Sequence, residues 1–368
     1  MRARRGDPAG VLYEGGTGDR AMRVTILAGL AVGLWAQGGL AQDWVTPDAC
    51  ALRSVADLST VLPVEGRAEV EAAAAKVANG VGRLWQVTAP DGRVSWIWGT
   101  FHSSDRLLTA MPPELADKLA QAAVLVIEAD PIPGSRSAVE GRTLQAGMWI
   151  AASDGAYDKA WLTGPLRDWT EARVWSLTQQ EAAMGQLTDA GLAYLLLDDP
   201  CEDYTAGVRP PQDLRLALAA YEAGIPVAGL ERWDAFLNDL GGPDGADVAK
   251  AITRVYAAYL SPDGFREGRE QAAALYLRGR LAELEEWNRL FLHQTLGDEA
   301  EATEALADRY MRVERSARFV KAMKVHLGHG EALIAIGASH LPGNEGVLSL
   351  LAAEGYRVER IPTAGEDR

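Results

Sequence analysis

Trp96-Ile97-Trp98-Gly99-Thr100-Phe101-His102 and Ile334-Ala335-Ile336-Gly337-Ala338-Ser339-His340 are two versions of one device: an apolar run, a glycine, two residues and a histidine. Runs this short and this apolar read as strands covered on both faces. After the first, Pro112-Pro113-Glu114 opens a helix through Ala123, and Val124-Leu125-Val126-Ile127 is a second apolar strand ending on Glu128. Proline is tolerated in the first helical turn, where its missing N–H has no partner to lose. After the second, Glu345–Ala353 reads as a helix capped by Gly355, and Tyr356–Ile361 as the last strand. A strand–helix–strand crossover normally joins parallel neighbours in a buried sheet.

Outward from these two units, Leu84-Trp85-Gln86-Val87 and Val94–Trp98 flank a Pro90-Asp91-Gly92 turn, the pattern of a hairpin. Leu214–Ala223 is helical, Gly224 ends it, and Ile225–Leu230 is a further strand closing on Glu231. From about 136 to 329 the remaining chain repeats Trp, Leu and Ala at helical spacing, as in Trp161, Leu166 and Trp169, which reads as a helical insertion. The expected fold is α/β: a mixed, mostly parallel sheet built from two similar βαβ halves, with helices on both faces and this large insertion. Residues 42–80 read as a separate N-terminal segment of short helices, and 81–368 as the α/β domain.

The N-terminal stretch is read as an export signal. Met22-Arg23-Val24 leads into an apolar run from Ile26 to Trp35, too short to span a bilayer as a mature helix, and Gly39-Leu40-Ala41 ends it in small residues. Cleavage is expected after Ala41, with residues before Met22 an upstream segment, giving a periplasmic or secreted protein without a transmembrane anchor. In an oxidising compartment Cys50 and Cys201 are expected to pair, clipping the N-terminal segment to the body. The formal charge of -15 argues against nucleic acid as a partner, because phosphate binding needs basic surface.

In an open parallel sheet, ligands bind outside the carboxyl ends of the strands. His102 and His340 fall just past strand ends, and Glu128 and Glu231 directly follow apolar strands, so all four are expected at one rim. Two neutral imidazoles with a carboxylate suit a divalent metal such as Mn, Co or Zn, whose bound water could attack a carbonyl or ester. A metal-free version keeps the same residues, with histidine as general base and glutamate orienting it. Asp105 is a candidate to orient His102, and Arg315 to point into the site from its helix. Ordinary roles also exist: a salt bridge for Glu128, pairing with Arg232 for Glu231, a loop start for Asp105 and a solvated helix face for Arg315. His326-Leu327-Gly328-His329 reads as a helix end. There is no nucleophile elbow, phosphate-binding loop, dinucleotide fingerprint or His-Glu-x-x-His in the chain.

These residues together resemble the TraB/GumN family, which is related to the Tiki metalloproteases and more distantly to erythromycin-esterase-like and ChaN-like proteins. The resemblance runs from about Asn79 to Ile361. It is carried by Leu84–Val87, Trp98-Gly99-Thr100-Phe101-His102-Ser103-Ser104-Asp105, Val126-Ile127-Glu128, Gly229-Leu230-Glu231, Ile336-Gly337-Ala338-Ser339-His340-Leu341-Pro342-Gly343 and Gly355-Tyr356-Arg357-Val358. It implies a site of His102, Glu128 and His340, and the Tiki members imply protease activity supported by manganese or cobalt. One departure stands out: where the family usually has Glu-Arg followed by Asn or Asp, this chain has Glu314-Arg315-Ser316. The expected function is an exported, metal-dependent, peptidase-like hydrolase acting on a peptide or small molecule. The alternatives are an envelope binding protein for haem, a metal or a saccharide, and an accessory protein of polysaccharide export.

Overall fold

The computed structural model describes residues 42–52, 66–129, 157–180, 182–204 and 210–367. The expected signal segment, the proposed cleavage point and the beginning of the helical insertion lie outside the described residues. Six strands form one sheet: β1 (Leu84–Thr88), β2 (Val94–Thr100), β3 (Val124–Ala129), β4 (Val227–Glu231), β5 (Ala332–Gly337) and β6 (Arg357–Ile361). Their spatial order is β4-β3-β5-β2-β1-β6. β4, β3, β5 and β2 run parallel, while β1 is antiparallel to both β2 and β6. The fold is therefore α/β with a mixed, mostly parallel sheet, as the sequence indicates.

The hairpin forms as expected. Gly92 turns with φ 90°, Ala89 donates its N–H to the Arg93 carbonyl, and Gly92 donates to Ala89. The two βαβ units are also present, but β2 and β3 are not neighbours: β5 lies between them. Every residue of β5 is buried, so the most apolar strand occupies the centre, where both faces are covered. The two motif-bearing strands are thus adjacent, with Gly99 level with Ile336 and Thr100 level with Gly337. That pairing puts both Gly-x-x-His turns side by side.

The sheet's core includes Leu84, Ile97, Trp98, Leu125, Leu333, Ile334, Phe319 and Leu348. A second apolar cluster joins the helices Asp189–Leu196, Ala246–Ala258 and Ala300–Asp308 through Ala193, Ile252 and Ala307. Cys50 and Cys201 form a disulfide with Cα atoms 5.3 Å apart across 151 residues. Closing so long a loop stabilises the folded chain by about 2–4 kcal/mol. Among the described residues no helix is long and apolar enough to cross a membrane.

Candidate functional site

The topology dictates which residues share the rim. Strands β2, β3, β4 and β5 all end there, and a helix that feeds a parallel strand must begin there, because it runs back along the sheet. Glu128 is the penultimate residue of β3 and Glu231 the last of β4. His102 and His340 follow β2 and β5 by two and three residues. The helices Gln212–Glu222 and Arg315–His329 lead into β4 and β5, so Asp213 and Arg315 sit at the same rim.

Gly337 marks the point of convergence. A Cβ built there would stand 3.0 Å from Glu128 Oε1, 3.4 Å from His102 Nε2 and 3.6 Å from His340 Cδ2. Glycine is required for room rather than for turning, since its φ of -51° suits any residue. Gly99 has a different job. A Cβ there would meet Leu341 Cδ1 at 2.7 Å and Ala338 Cα at 3.1 Å, so Gly99 lets the second histidine turn lie against the first strand.

Glu128 is held by both oxygens. Gly337 donates its N–H to Oε1 at 2.5 Å, and Arg315 Nη2 donates to Oε2 at 2.7 Å. Burial by itself would raise this carboxyl, but Arg315, His340, His102 and the Gly337 amide outweigh it and hold Glu128 far below the usual carboxylate range. Arg315 also donates to Glu231 Oε1 at 2.6 Å and lies 5.0 Å above the Phe319 ring. It therefore balances two carboxylates of the rim instead of occupying a solvated helix face. Arg232 bonds Asp234 with both ends of its guanidinium.

The two imidazoles sit in opposite surroundings. His340 is 3% exposed, its Nδ1 is 2.9 Å from Ser316 Oγ, and its Nε2 is 3.8 Å from Glu128 Oε1. Burial pushes it down to about 4 despite the attraction of Glu128, so it is neutral at neutral pH. His102 is exposed, and its Nδ1 is 2.9 Å from Asp213 Oδ2. The Asp213 carboxylate raises it to about 9.

Asp105 does not orient His102. Its Oδ1 accepts the Leu107 N–H at 2.7 Å, a local turn that a short aspartate side chain makes readily. His326 and His329 close the Arg315–His329 helix, where Gly330 with φ 79° ends it. Asp213, Gln212 and the role of Ser316 escaped the sequence reading. Pro210-Pro211 before Gln212-Asp213 was the available signal, since it marks a helix start feeding a parallel strand. A π-helical stretch, Arg309–Glu314, directly precedes Arg315, a departure from α geometry common at functional sites. Among the described residues, no group of three or more His, Cys, Asp or Glu side chains is assembled to hold a metal ion.

A double Gly-x-x-His rim with a half-buried glutamate and arginine thus stands at the edge of a mixed α/β sheet. A model of the TraB/PrgY/gumN family matches residues 83–360, and the chain belongs to that family. It is 30% identical over 169 residues to metalloprotease TIKI2 of Danio rerio, a match covering 42% of this chain and 33% of the relative. The chain thus spans about a third of that relative's length. No solved structure matches it.

Proposed function

We propose that this protein is an exported, divalent-metal-dependent hydrolase of peptide-like substrates, with His102, Glu128 and His340 as its metal-holding and catalytic set. The observation that carries the reading is the convergence of His102 Nε2, Glu128 Oε1 and the His340 ring on the open side of Gly337. Similarity to a protein named as a metalloprotease supports the reaction class, and the disulfide is compatible with export.

The residues fit such an ion by donor chemistry. Each imidazole has its Nδ1 engaged, His102 by Asp213 and His340 by Ser316, so Nε2 is the atom left to ligate, in His102 after it gives up the proton that Asp213 helps it hold. Two nitrogens and a carboxylate oxygen suit Mn, Co or Zn. As they stand, the three have not closed into a ligand set, so ion binding has to draw them together around Gly337. A divalent ion held by His102, Glu128 and His340 would supply an acidified water and a Lewis acid for a substrate carbonyl. Arg315 keeps Glu128 ionised and offsets Glu231, which can accept a hydrogen bond from a substrate amide at the rim. His340, neutral and buried, offers a lone pair without losing a proton first.

The test is metal content and peptide hydrolysis of the mature wild type, His102→Ala and His340→Ala. Metal bound by the wild type and lost from both variants, together with hydrolysis, is the expected result. Equal metal content in all three overturns the reading. The second reading, a non-catalytic binding protein for haem, a metal or a saccharide, is favoured by Ser316 standing where the family usually carries Asn or Asp. Co-purified ligand without hydrolysis across a broad substrate panel supports that alternative.

A further inference from the structure

We propose that Asp213 is the positioning residue of His102, held in place by a bracket that Gln212 builds around the first histidine turn. The proposal rests on the reading of His102 as a site ligand only for its functional consequence, because the contact itself is independent of any ion.

His102 is on an exposed turn, where an imidazole is free to rotate, and its outer nitrogen meets one partner, Asp213 Oδ2 at 2.9 Å. A carboxylate can only accept, so Nδ1 carries the hydrogen and Nε2 is the atom turned toward Gly337 and Glu128. Asp213 lies in the first turn of the Gln212–Glu222 helix, where the helix dipole favours negative charge. Its other oxygen, Oδ1, is buried without a hydrogen-bond partner among the described residues. A carboxylate kept for structure would normally have both oxygens satisfied; here the one it shares is spent on His102.

The neighbouring residue explains why the pair cannot drift. Gln212 is 3% exposed and grips the chain on both sides of His102. Its Oε1 accepts the Phe101 N–H at 3.0 Å, and its own N–H donates to the Ser103 carbonyl at 3.2 Å. Oε1 also receives Trp98 Nε1 at 3.3 Å, and Nε2 donates to the Leu108 carbonyl at 2.5 Å. The helix start is thus fastened to β2, to the turn and to the following loop at once, and Asp213 is the next residue along.

The experiment uses the mature protein with 15N-labelled histidine. In the metal-free wild type, His102 should give a downfield, hydrogen-bonded Nδ1–H resonance at low temperature, retained in Asp105→Asn and lost in Asp213→Ala. Cobalt affinity should fall about 10- to 100-fold in Asp213→Ala, the usual cost of losing an orienting partner. Asp213→Asn, which keeps an acceptor oxygen but no charge, should recover part of that affinity. A resonance that survives in Asp213→Ala overturns the proposal, as does unchanged cobalt affinity once the resonance is lost. A wild type that binds no cobalt yet loses the resonance in Asp213→Ala supports Asp213 as the positioning residue and removes the metal reading instead.

Discussion

Ser316 Oγ lies 2.9 Å from Nδ1 of His340, and both side chains are buried. The serine occupies the position where the family usually has Asn or Asp, and it still meets the imidazole. A hydroxyl can donate or accept, so serine is compatible with either tautomer of His340, whereas a carboxylate would impose one. Ser316→Ala leaves a buried ring nitrogen without a partner, which costs about 1–3 kcal/mol. The loss should appear as a lower denaturant midpoint with an unchanged slope, and Ser316→Asn should recover part of it. A midpoint for Ser316→Ala equal to the wild type would show that the contact contributes nothing.

The four rim residues His102, His340, Glu128 and Glu231 were legible in the sequence because the strand-end rule needs only apolar runs and their boundaries. Strand order was not legible. A crossover of any length that spans one strand looks the same locally as one that joins neighbours, so the insertion of β5 between β2 and β3 left no mark. Arg315 could be located on a helix but not oriented. Its aim depends on the π-helical stretch that precedes it and on two carboxylates from distant strands. Asp105 was the nearer carboxylate to His102 in sequence, yet its local turn took precedence and a residue from another helix supplied the partner. What remained hidden was therefore tertiary pairing, which no local pattern encodes.

The two motif glycines, alike in sequence, should respond differently to alanine. Gly337 has a backbone conformation that alanine adopts freely, so Gly337→Ala adds only a methyl group 3.0 Å from Glu128 Oε1 and 3.4 Å from His102 Nε2. The crowding should cost about 1 kcal/mol of stability, at the low end for overpacking, while blocking the space between the ligands. Gly99→Ala puts its methyl 2.7 Å from Cδ1 of the fully buried Leu341 and 3.1 Å from Ala338 Cα, and should cost about 2–3 kcal/mol. Thermal or denaturant unfolding alongside cobalt titration checks both. The expectation fails if Gly337→Ala retains wild-type cobalt affinity, or if Gly99→Ala is the better tolerated of the two.

His340 should make the metal-free protein lose stability on mild acidification relative to a variant that lacks this imidazole. In the unfolded chain this imidazole takes its proton near its ordinary value of 6.5, but burial holds the folded one down to about 4. Between these values the unfolded chain binds more protons than the folded one, so stability falls as pH falls, by about 3 kcal/mol across the full interval. Glu128 acts lower: its depressed carboxylate contributes stability that is present above its ordinary value of 4.5 and lost beneath it. His102 acts higher, since a raised imidazole contributes stability that is complete below 6.5 and lost as pH climbs toward about 9. The interval from about pH 6.5 down to 4.5 therefore isolates His340 among the three. Glu202, raised to about 7, and Glu285, raised to about 8, act with the opposite sign in this window, so the readout is a difference: in urea unfolding the wild type should lose stability relative to His340→Gln as pH falls. A variant with the same slope would assign the acid sensitivity to other groups and remove the neutral, buried imidazole from the account of the site.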